Sequence, residues 1–544
     1  MRVLVIGGGG VFGRHLAKGL VANGFEVVIA GRSLSRAQQI AAELAATRPG
    51  ARVSAVSLDT ATLKPADLTA AGVEIVVEAA GPFQGAQPLT ARAAIAAGLH
   101  YVDLADARAF VAEFPALDDA ARTAGVVALT GCSSTPALSN AVLDELTRGW
   151  TEIVSVEAAI SPGARAPRGR SVMEATLSWL GRPVRVFEGG GWRTRHGWSG
   201  LHRRDFATAG HRFVSLCETP DLDLFVSRFH PSDSATFKAG LNPVIAHLAV
   251  WLMAGLVRLG LPLPDPDTLV ALSYPLSRFG DDRGAMQVGA YGRDSEGRAV
   301  RAVWRLIAEP GVGPVTPSLP ALAAIKAIAR DEIPPGARPC VGLLGIEAME
   351  TEIAAHPIAV DRVVERASLF AKAIGAPFEA LPAAIRDLHE TPGRSVWRGQ
   401  VDTQGAEDPL GRLIARLVGF PDTLQGRPIA VEIVTDGARS SWTRRIGRAL
   451  FRSELASPRS GGRVTERFGP LWFDLVLSPT ASGLVYDIRG WRLGPIPMPR
   501  FLAPLSRTSE SVDEQGRFVF DVHIALPWGN RLAHYRGWLI RDTA

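Results

Sequence analysis

The sequence predicts a mixed α/β chain in three parts: a doubly wound parallel α/β domain, an α+β middle domain with an antiparallel sheet, and a β-rich antiparallel C-terminal domain. Three observations carry this. Short apolar runs alternate with helical patterns over residues 1–131, the mark of a parallel sheet flanked by helices. Near the other end, Phe518, Phe520, Val522, Ile524 and Leu526 alternate strictly, which gives a strand with one dry face. With 544 residues, 47% of them apolar, the chain can bury more than one core. The boundaries read as 1–140, 141–355, a connector over 356–387, and 388–544.

The first strand is VLVI (3–6), followed by GGGGVFG (7–13) and a helix in which Leu16, Ala17, Leu20 and Val21 recur at helical spacing. Asn23-Gly24 stops that helix. FEVVIA (25–30), RVSAVSL (52–58), EIVVEAA (74–80), HYVDLA (100–105) and VVALTG (126–131) are further strands, with helices over 35–46, 88–97 and 115–124.

A strand, a glycine turn and a helix in that order form a dinucleotide-binding unit of the Rossmann type. Gly8, Gly10 and Gly13 satisfy GxGxxG, while Gly7, Gly10 and Gly13 satisfy GxxGxxG; the register stays open between them. Gly10 lets a pyrophosphate approach the backbone, Gly13 lets the helix pack closely on the strand, and Val11 and Phe12 begin the helix whose N-terminus faces the phosphates. Where an NAD site carries an acid at the end of the second strand, this chain has Arg32 and Ser33, with Arg36 one turn later. A guanidinium pairs with a 2′-phosphate, so the expected cofactor is NADP(H). Asp59, after the third strand, is assigned to the same cleft.

The stretch EAAGPFQGAQPLTARAAIAAGLHYVDLAD (78–106), with GGGGVFG, AGRS and GCSSTPALSN (131–140), resembles the saccharopine dehydrogenase superfamily of NADP-binding oxidoreductases. The resemblance covers about residues 1–350 and is strongest over the first 140. It implies that Ala80, Gly81 and Pro82 line the cofactor cleft. Tyr101, Asp103 and Asp106 follow the next strand and point toward the same crevice, as candidates for substrate contact or proton transfer, or, for the acids, as helix caps. The superfamily spans amino-acid-condensing reductases, polyamine synthases and enoyl reductases acting on lipid intermediates, so the fold leaves the substrate open. The tyrosine four residues before a lysine that a short-chain dehydrogenase needs is absent: Arg14, Thr60, Ser234, Leu322 and Ser368 occupy those positions.

In the middle region EIVSVEAAI (152–160), AMQVGAYGRD (285–294) and 296–309 read as strands, and 317–333 as a helix packing back on the first domain. The basic stretch GGGWRTRHGWSGLHRRDF (189–206) suits a solvated loop, a dimer contact or an acidic group. The apolar run 242–264, interrupted by His247, is too short for a span and reads as a buried helix or a peripheral membrane contact. Beyond 388, Trp442, Arg444, TERFGPLWF (465–473), LGPIPMPR (493–500) and PWGNRLAHYRGWL (527–539) resemble an uncharacterised bacterial domain found fused to such reductases. Gly447 divides 441–455 into two strands and a turn. A curved sheet or barrel with an apolar ligand pocket is expected there.

Three dispersed cysteines (Cys132, Cys217, Cys340) fit neither a disulfide framework nor a zinc site, which points to a cytoplasmic setting and no metal. The net charge of +5 comes with only five lysines among 59 basic residues; without a nucleic-acid motif, no nucleic-acid partner follows. The reading is an NADP-dependent oxidoreductase acting on a small-molecule or acyl substrate carrying an imine, ketone or enoyl group, and homodimeric. The alternatives are an NADP(H) sensor without turnover, or a lipid-binding membrane-surface protein with an accessory reductase domain.

Overall fold

A computed structural model describes residues 1–167, 174, 177–262, 265–390, 393–436, 439–447, 449–457, 463–480 and 482–542. The chain divides into two compact units. One comprises 1–148, 156–290 and 303–363; the other comprises 149–155, 291–302 and 364–544.

The first unit contains a parallel sheet built from β1 (Arg2–Ile6), α1 (Val11–Ala22), β2 (Glu26–Gly31), α2 (Leu34–Ala45), β3 (Val53–Ser57), β4 (Ile75–Glu78), β5 (His100–Asp103) and β6 (Val127–Thr130). Each strand lies where its apolar run predicted it, within two residues at most ends. The order is Gly336–Pro339, β6, β5, β4, β1, β2, β3, so the chain reverses direction across the sheet between β1 and β4. That reversal opens a crevice at the C-terminal ends of these two strands. The seventh strand, Gly336–Pro339, pairs in parallel with β6 and comes from far beyond residue 140. The first domain is therefore completed by the returning chain, which covers an edge that would otherwise expose unpaired backbone. The helix Leu319–Ile328 returns with it: nine of its ten residues are buried, and a Cβ on Gly19 of α1 would lie 3.0 Å from Leu322. This is the packing expected for 317–333.

A second sheet runs in the order His202–Asp205, His211–Leu216, Ser234–Gly240, Glu152–Ser161, Gly284–Arg293, Ala299–Ala308, Ile358–Arg366, with Pro183–Glu188 and Gly191–His196 appended. The 189–206 stretch is thus strand rather than loop. Its basic side chains are partly engaged, Arg204 with Glu157 and Arg195 with Glu188, while Trp198 is fully buried. Burial alone would raise the Glu157 carboxyl, but Arg204 and Lys238 hold it down at about 2.

The apolar run forms the helix Val244–Arg258, followed by Pro266–Leu276; residues 263 and 264 lie outside the described residues. Among the described residues no helix is long and apolar enough to cross a membrane. His247 is buried, accepts the Leu241 N–H at Nδ1 (3.2 Å) and meets Ser215 Oγ at Nε2 (3.0 Å). Those two bonds fix the neutral tautomer with its proton on Nε2, and burial lowers its pKa to about 4.

The second unit holds a closed antiparallel β-barrel. Among the described residues its ten wall strands are Gly393–Gln404, Leu424–Asp436, Arg439–Ile446, Ala449–Ala456, Val464–Phe468, Leu471–Thr480, Gly483–Leu493, Leu505–Val512, Phe518–Ala525 and Arg531–Arg541. Each pairs with the next in sequence, and the first pairs with the last. Gly447, at φ +55°, turns between two of them, as the division of 441–455 into two strands and a turn requires; residue 448 lies outside the described residues. Residues 356–387 are not a free connector. Leu369, Phe370, Phe378, Leu381 and Ile385 are buried in the same core as the barrel's Trp397, Val431 and Phe518, because a barrel of this size needs side chains from outside its wall to close one end.

Candidate active site

β1 leads into a turn whose first residue, Gly7, has φ +79°, a conformation that favours glycine. A Cβ on Gly7 would lie 2.8 Å from the Ala80 nitrogen, and one on Gly13 would lie 2.3 Å from the Gly7 oxygen. On Gly10 a Cβ would meet only the Gly7 oxygen, at 3.2 Å, while on Gly8 it would press on Ile29 at 3.1 Å. Gly7 and Gly13 are thus fixed by close approach, and the GxxGxxG register describes the turn. Gly10 is the N-cap of α1, with no side-chain cap and no acid in the first turn. The first N–H groups of α1, around the half-buried Val11 and Phe12, open onto the crevice where a phosphate is favoured.

At the end of β2, Arg32, Ser33 and Arg36 are exposed. Ser33 caps α2, accepting the Arg36 N–H at 3.4 Å, and no acid stands in that helix's first turn. Among the described residues neither Arg32 nor Arg36 forms an ion pair, so both guanidinium groups remain for a phosphate. Asp59 is exposed two residues past β3 and accepts the Ala61 N–H at 3.1 Å, the role of a turn residue. Ala80, Gly81 and Pro82 are exposed, and the Ala79–Ala80 backbone abuts Gly7. The glycine turn and the β4 loop thus form one wall of the crevice.

Two of the three catalytic candidates do not point into that crevice. Tyr101 is fully buried, donates to Glu78 Oε2 at 2.8 Å and stacks on Phe114. Strand alternation sends its side chain into the layer between sheet and helices, and burial pushes both Tyr101 and Glu78 up. Asp103 is also fully buried. Its Oδ1 accepts the N–H groups of Ala105 and Gly131 and the Thr130 hydroxyl, tying β5 to the loop after β6, and burial raises its pKa to about 7. Asp106 alone is exposed; it accepts from Gln84 Nε2 at 3.1 Å, linking the loops after β4 and β5.

Beside the glycine turn lies a cavity of about 650 Å³. It begins at Val11, Phe12 and Ser134 and runs between the helices Val244–Arg258 and Pro266–Leu276 and the strand Gly284–Arg293. Among the described residues no charged side chain lines it; the polar groups there are Ser134, Ser161, Asn242, Ser273 and Thr316. Arg212, buried, donates to the carbonyls of Ser161 and Arg283 (2.9 and 2.8 Å) and holds that wall in place.

Sequence reasoning missed Ser134, Asn242, Met286 and Thr316, which are scattered over four separate segments. Only Ser134, inside the quoted GCSSTPALSN, carried a local signal. The rest of that motif is structural: Ser139 and Asn140 donate to the buried Asp221 at 2.9 and 3.0 Å, whose pKa burial raises to about 7.

Residues 3–129 match the family described as the saccharopine dehydrogenase NADP-binding domain, and residues 381–539 match a domain of unknown function, DUF4166. Among solved structures the chain is similar to saccharopine dehydrogenase (L-Glu forming) from Saccharomyces cerevisiae: 14% identity, 67% of this chain and 99% of that one, TM-score 0.47. It is also similar to a probable dehydrogenase from Thermotoga maritima, at 11% identity, 65% and 93% coverage and TM-score 0.33. No curated protein matches the chain. The N-terminal domain is thus an NADP(H)-binding domain of the saccharopine dehydrogenase kind, and its glycine turn and free arginines fit that cofactor.

Proposed function

We propose that the chain is an NADP(H)-dependent oxidoreductase whose substrate presents an uncharged, largely apolar body to the cavity beside the glycine turn. The observation that carries this reading is a cavity of about 650 Å³ with no charged residue among the described residues of its lining. A volume of that size suits a small-molecule site. An amino-acid-condensing reaction needs cations for its substrate carboxylates, because an unpaired buried charge is strongly disfavoured; the described residues of this cavity's lining offer none. A ketone or enoyl group on an apolar chain meets no such penalty.

NADP(H), when bound, supplies or accepts a hydride at the crevice. The chain's own residues then have three tasks. Gly10 and the first turn of α1 seat the pyrophosphate, and Arg32, with Arg36 nearby, holds the 2′-phosphate. The hydroxyls of Ser134 and Thr316 orient a substrate carbonyl by hydrogen bonding. With no acid among the described residues of the cavity wall, the proton that completes the reduction comes from water or from Asp106 at the crevice.

The helix pair enclosing the cavity also exposes large apolar side chains: Ile245 (57%), Leu252 (58%), Leu259 (80%), Leu272 (62%) and Phe279 (66%). With Arg258 and Arg278 beside them, this face suits the surface of an anionic membrane, from which an apolar substrate would enter. A sensor without turnover is the second reading, favoured by the lack of a titratable side chain among the described residues of the cavity wall.

The test is NADPH oxidation by the full chain with enoyl and keto esters of graded chain length, against charged amino-acid substrates, with flotation on phosphatidylglycerol vesicles. Turnover of the apolar series and flotation support the reading. NADPH binding without turnover of either class supports the sensor.

A further inference from the structure

The C-terminal barrel encloses a second cavity, of about 160 Å³, inside the second unit. Its lining is largely apolar and includes Ile414, Val418, Ile429, Val431, Leu532 and Ile524. The first two lie on the helix Pro409–Val418, which stands at one end of the barrel between the strands Gly393–Gln404 and Leu424–Asp436. The opposite end is plugged by residues 369–389. The turns at the helix end carry exposed apolar side chains, including Leu410, Leu417, Leu450, Ile496, Phe501 and Trp528. That end is the natural entry for an apolar molecule.

The same lining carries the polar side chains Arg444, Glu466, Tyr486 and Glu510. Arg444 donates to Ser453 Oγ at 2.9 Å and faces Glu466 at 3.8 Å, packing over Trp442 and Phe451. Glu510 accepts from the Tyr486 hydroxyl at 2.6 Å and pairs with His389 Nε2 at 2.6 Å. Burial, ahead of the opposing effect of Arg444, raises the Glu466 carboxyl. A void of this size weakens a core, and buried ionic groups rarely add stability over apolar packing. Folding alone therefore explains neither the void nor the polar groups that line it.

We propose that the barrel is a ligand-binding site for a small uncharged molecule with an apolar body and a terminal hydroxyl or carbonyl directed at Arg444, Glu466 and Glu510. Charge decides the class of ligand. An anionic head would face two carboxylates and a cationic head would face Arg444, whereas a neutral head can both donate to Glu466 and accept from Arg444. Volume decides the size, since an apolar cavity of about 150 Å³ accommodates benzene. One ring or a short alkyl chain fills this one. The site is separate from the cavity beside the glycine turn and does not depend on the reading of that cavity.

The test uses the full chain and two probes seen by fluorine NMR, 4-fluorobenzyl alcohol and 4-fluorobenzoate. Val431→Phe fills the barrel cavity, and Ala246→Phe narrows the other one. The expected result is saturable binding of the alcohol, at least tenfold weaker in Val431→Phe, unchanged in Ala246→Phe, and much weaker for the benzoate. Binding that survives Val431→Phe but is lost in Ala246→Phe overturns the proposal, as does the absence of binding at millimolar probe or a preference for the benzoate. If Val431→Phe does not fold, Val431→Ala replaces it. The enlarged cavity must then favour 4-fluorophenylbutanol over 4-fluorobenzyl alcohol more than the parent does, and an unchanged preference overturns the proposal.

Discussion

Gly10→Ala and Gly13→Ala, one turn of helix apart, should fail in opposite ways. At Gly13 a Cβ would lie 2.3 Å from the Gly7 oxygen and 2.9 Å from its carbonyl carbon, so α1 must move off the turn by about 1 Å, an overpacking strain of about 1–3 kcal/mol. At Gly10 the new Cβ meets only the Gly7 oxygen, at 3.2 Å, and the backbone (φ −78°, ψ 171°) is one that alanine adopts freely. The lower entropy of the unfolded chain offsets that close contact by about 0.4–1 kcal/mol. The apo protein should therefore tolerate Gly10→Ala, but its methyl group would occupy the approach of the pyrophosphate. Losing one charge-assisted hydrogen bond there removes about 1.5–3 kcal/mol, or about tenfold to 150-fold in NADPH affinity. Thermal unfolding of the apo variants and calorimetric titration with NADPH separate the two effects. Wild-type affinity in Gly10→Ala, or equal destabilisation by both substitutions, would refute the assignment of Gly10 to the phosphate and Gly13 to packing.

Arg32→Asp should weaken NADPH by about tenfold or more and leave NADH nearly unchanged, as read by parallel titrations; equal binding of both cofactors by the parent protein contradicts the role. Ala246→Phe should lower kcat/KM for bulky apolar substrates while the NADPH Kd stays put, since residue 246 lines the substrate cavity rather than the turn. His247 gives a pH signature. Its folded pKa of about 4 lies below the usual 6.5, so the unfolded chain binds the extra proton between these values. Its contribution is therefore complete above about pH 6.5 and falls by up to about 1.4 kcal/mol per pH unit as the pH drops toward 4. In His247→Gln, denaturant midpoints should show that component of the slope removed, together with an overall loss of about 1–3 kcal/mol from the Ser215 and Leu241 bonds.

The sequence made the parallel sheet readable because six of its seven strands are short apolar runs bounded by glycine or by a helical pattern, and periodicity reports such local features. The strand Gly336–Pro339 escaped, since GARP has no apolar run and is recruited only by the open edge of β6. The barrel was readable as strands through the alternation at Phe518–Leu526. Its closure was not, because pairing of the first strand with the last is a contact across 130 residues that leaves no local mark. Within the site, the glycine turn and Arg32 announced themselves by composition. Tyr101 and Asp103 misled because a strand end supplies acids and phenols for structural ties as readily as for chemistry, and only the third dimension separates the two. The cavity wall was invisible for a related reason: Ser134, Asn242, Met286 and Thr316 share a surface but no sequence pattern.

The central claim is that hydride passes between NADP(H) and an uncharged apolar substrate. The most direct measurement incubates the full chain with NADPH deuterated at both C4 positions and a detergent-free lipid extract, then follows deuterium by mass spectrometry in the organic and aqueous phases. The account predicts one deuterium gained by neutral, organic-extractable compounds, dependent on Arg32 and reduced for the bulkier ones by Ala246→Phe. Deuterium appearing only in charged, water-soluble amino-acid products, or in no product although NADPH binds, would contradict it.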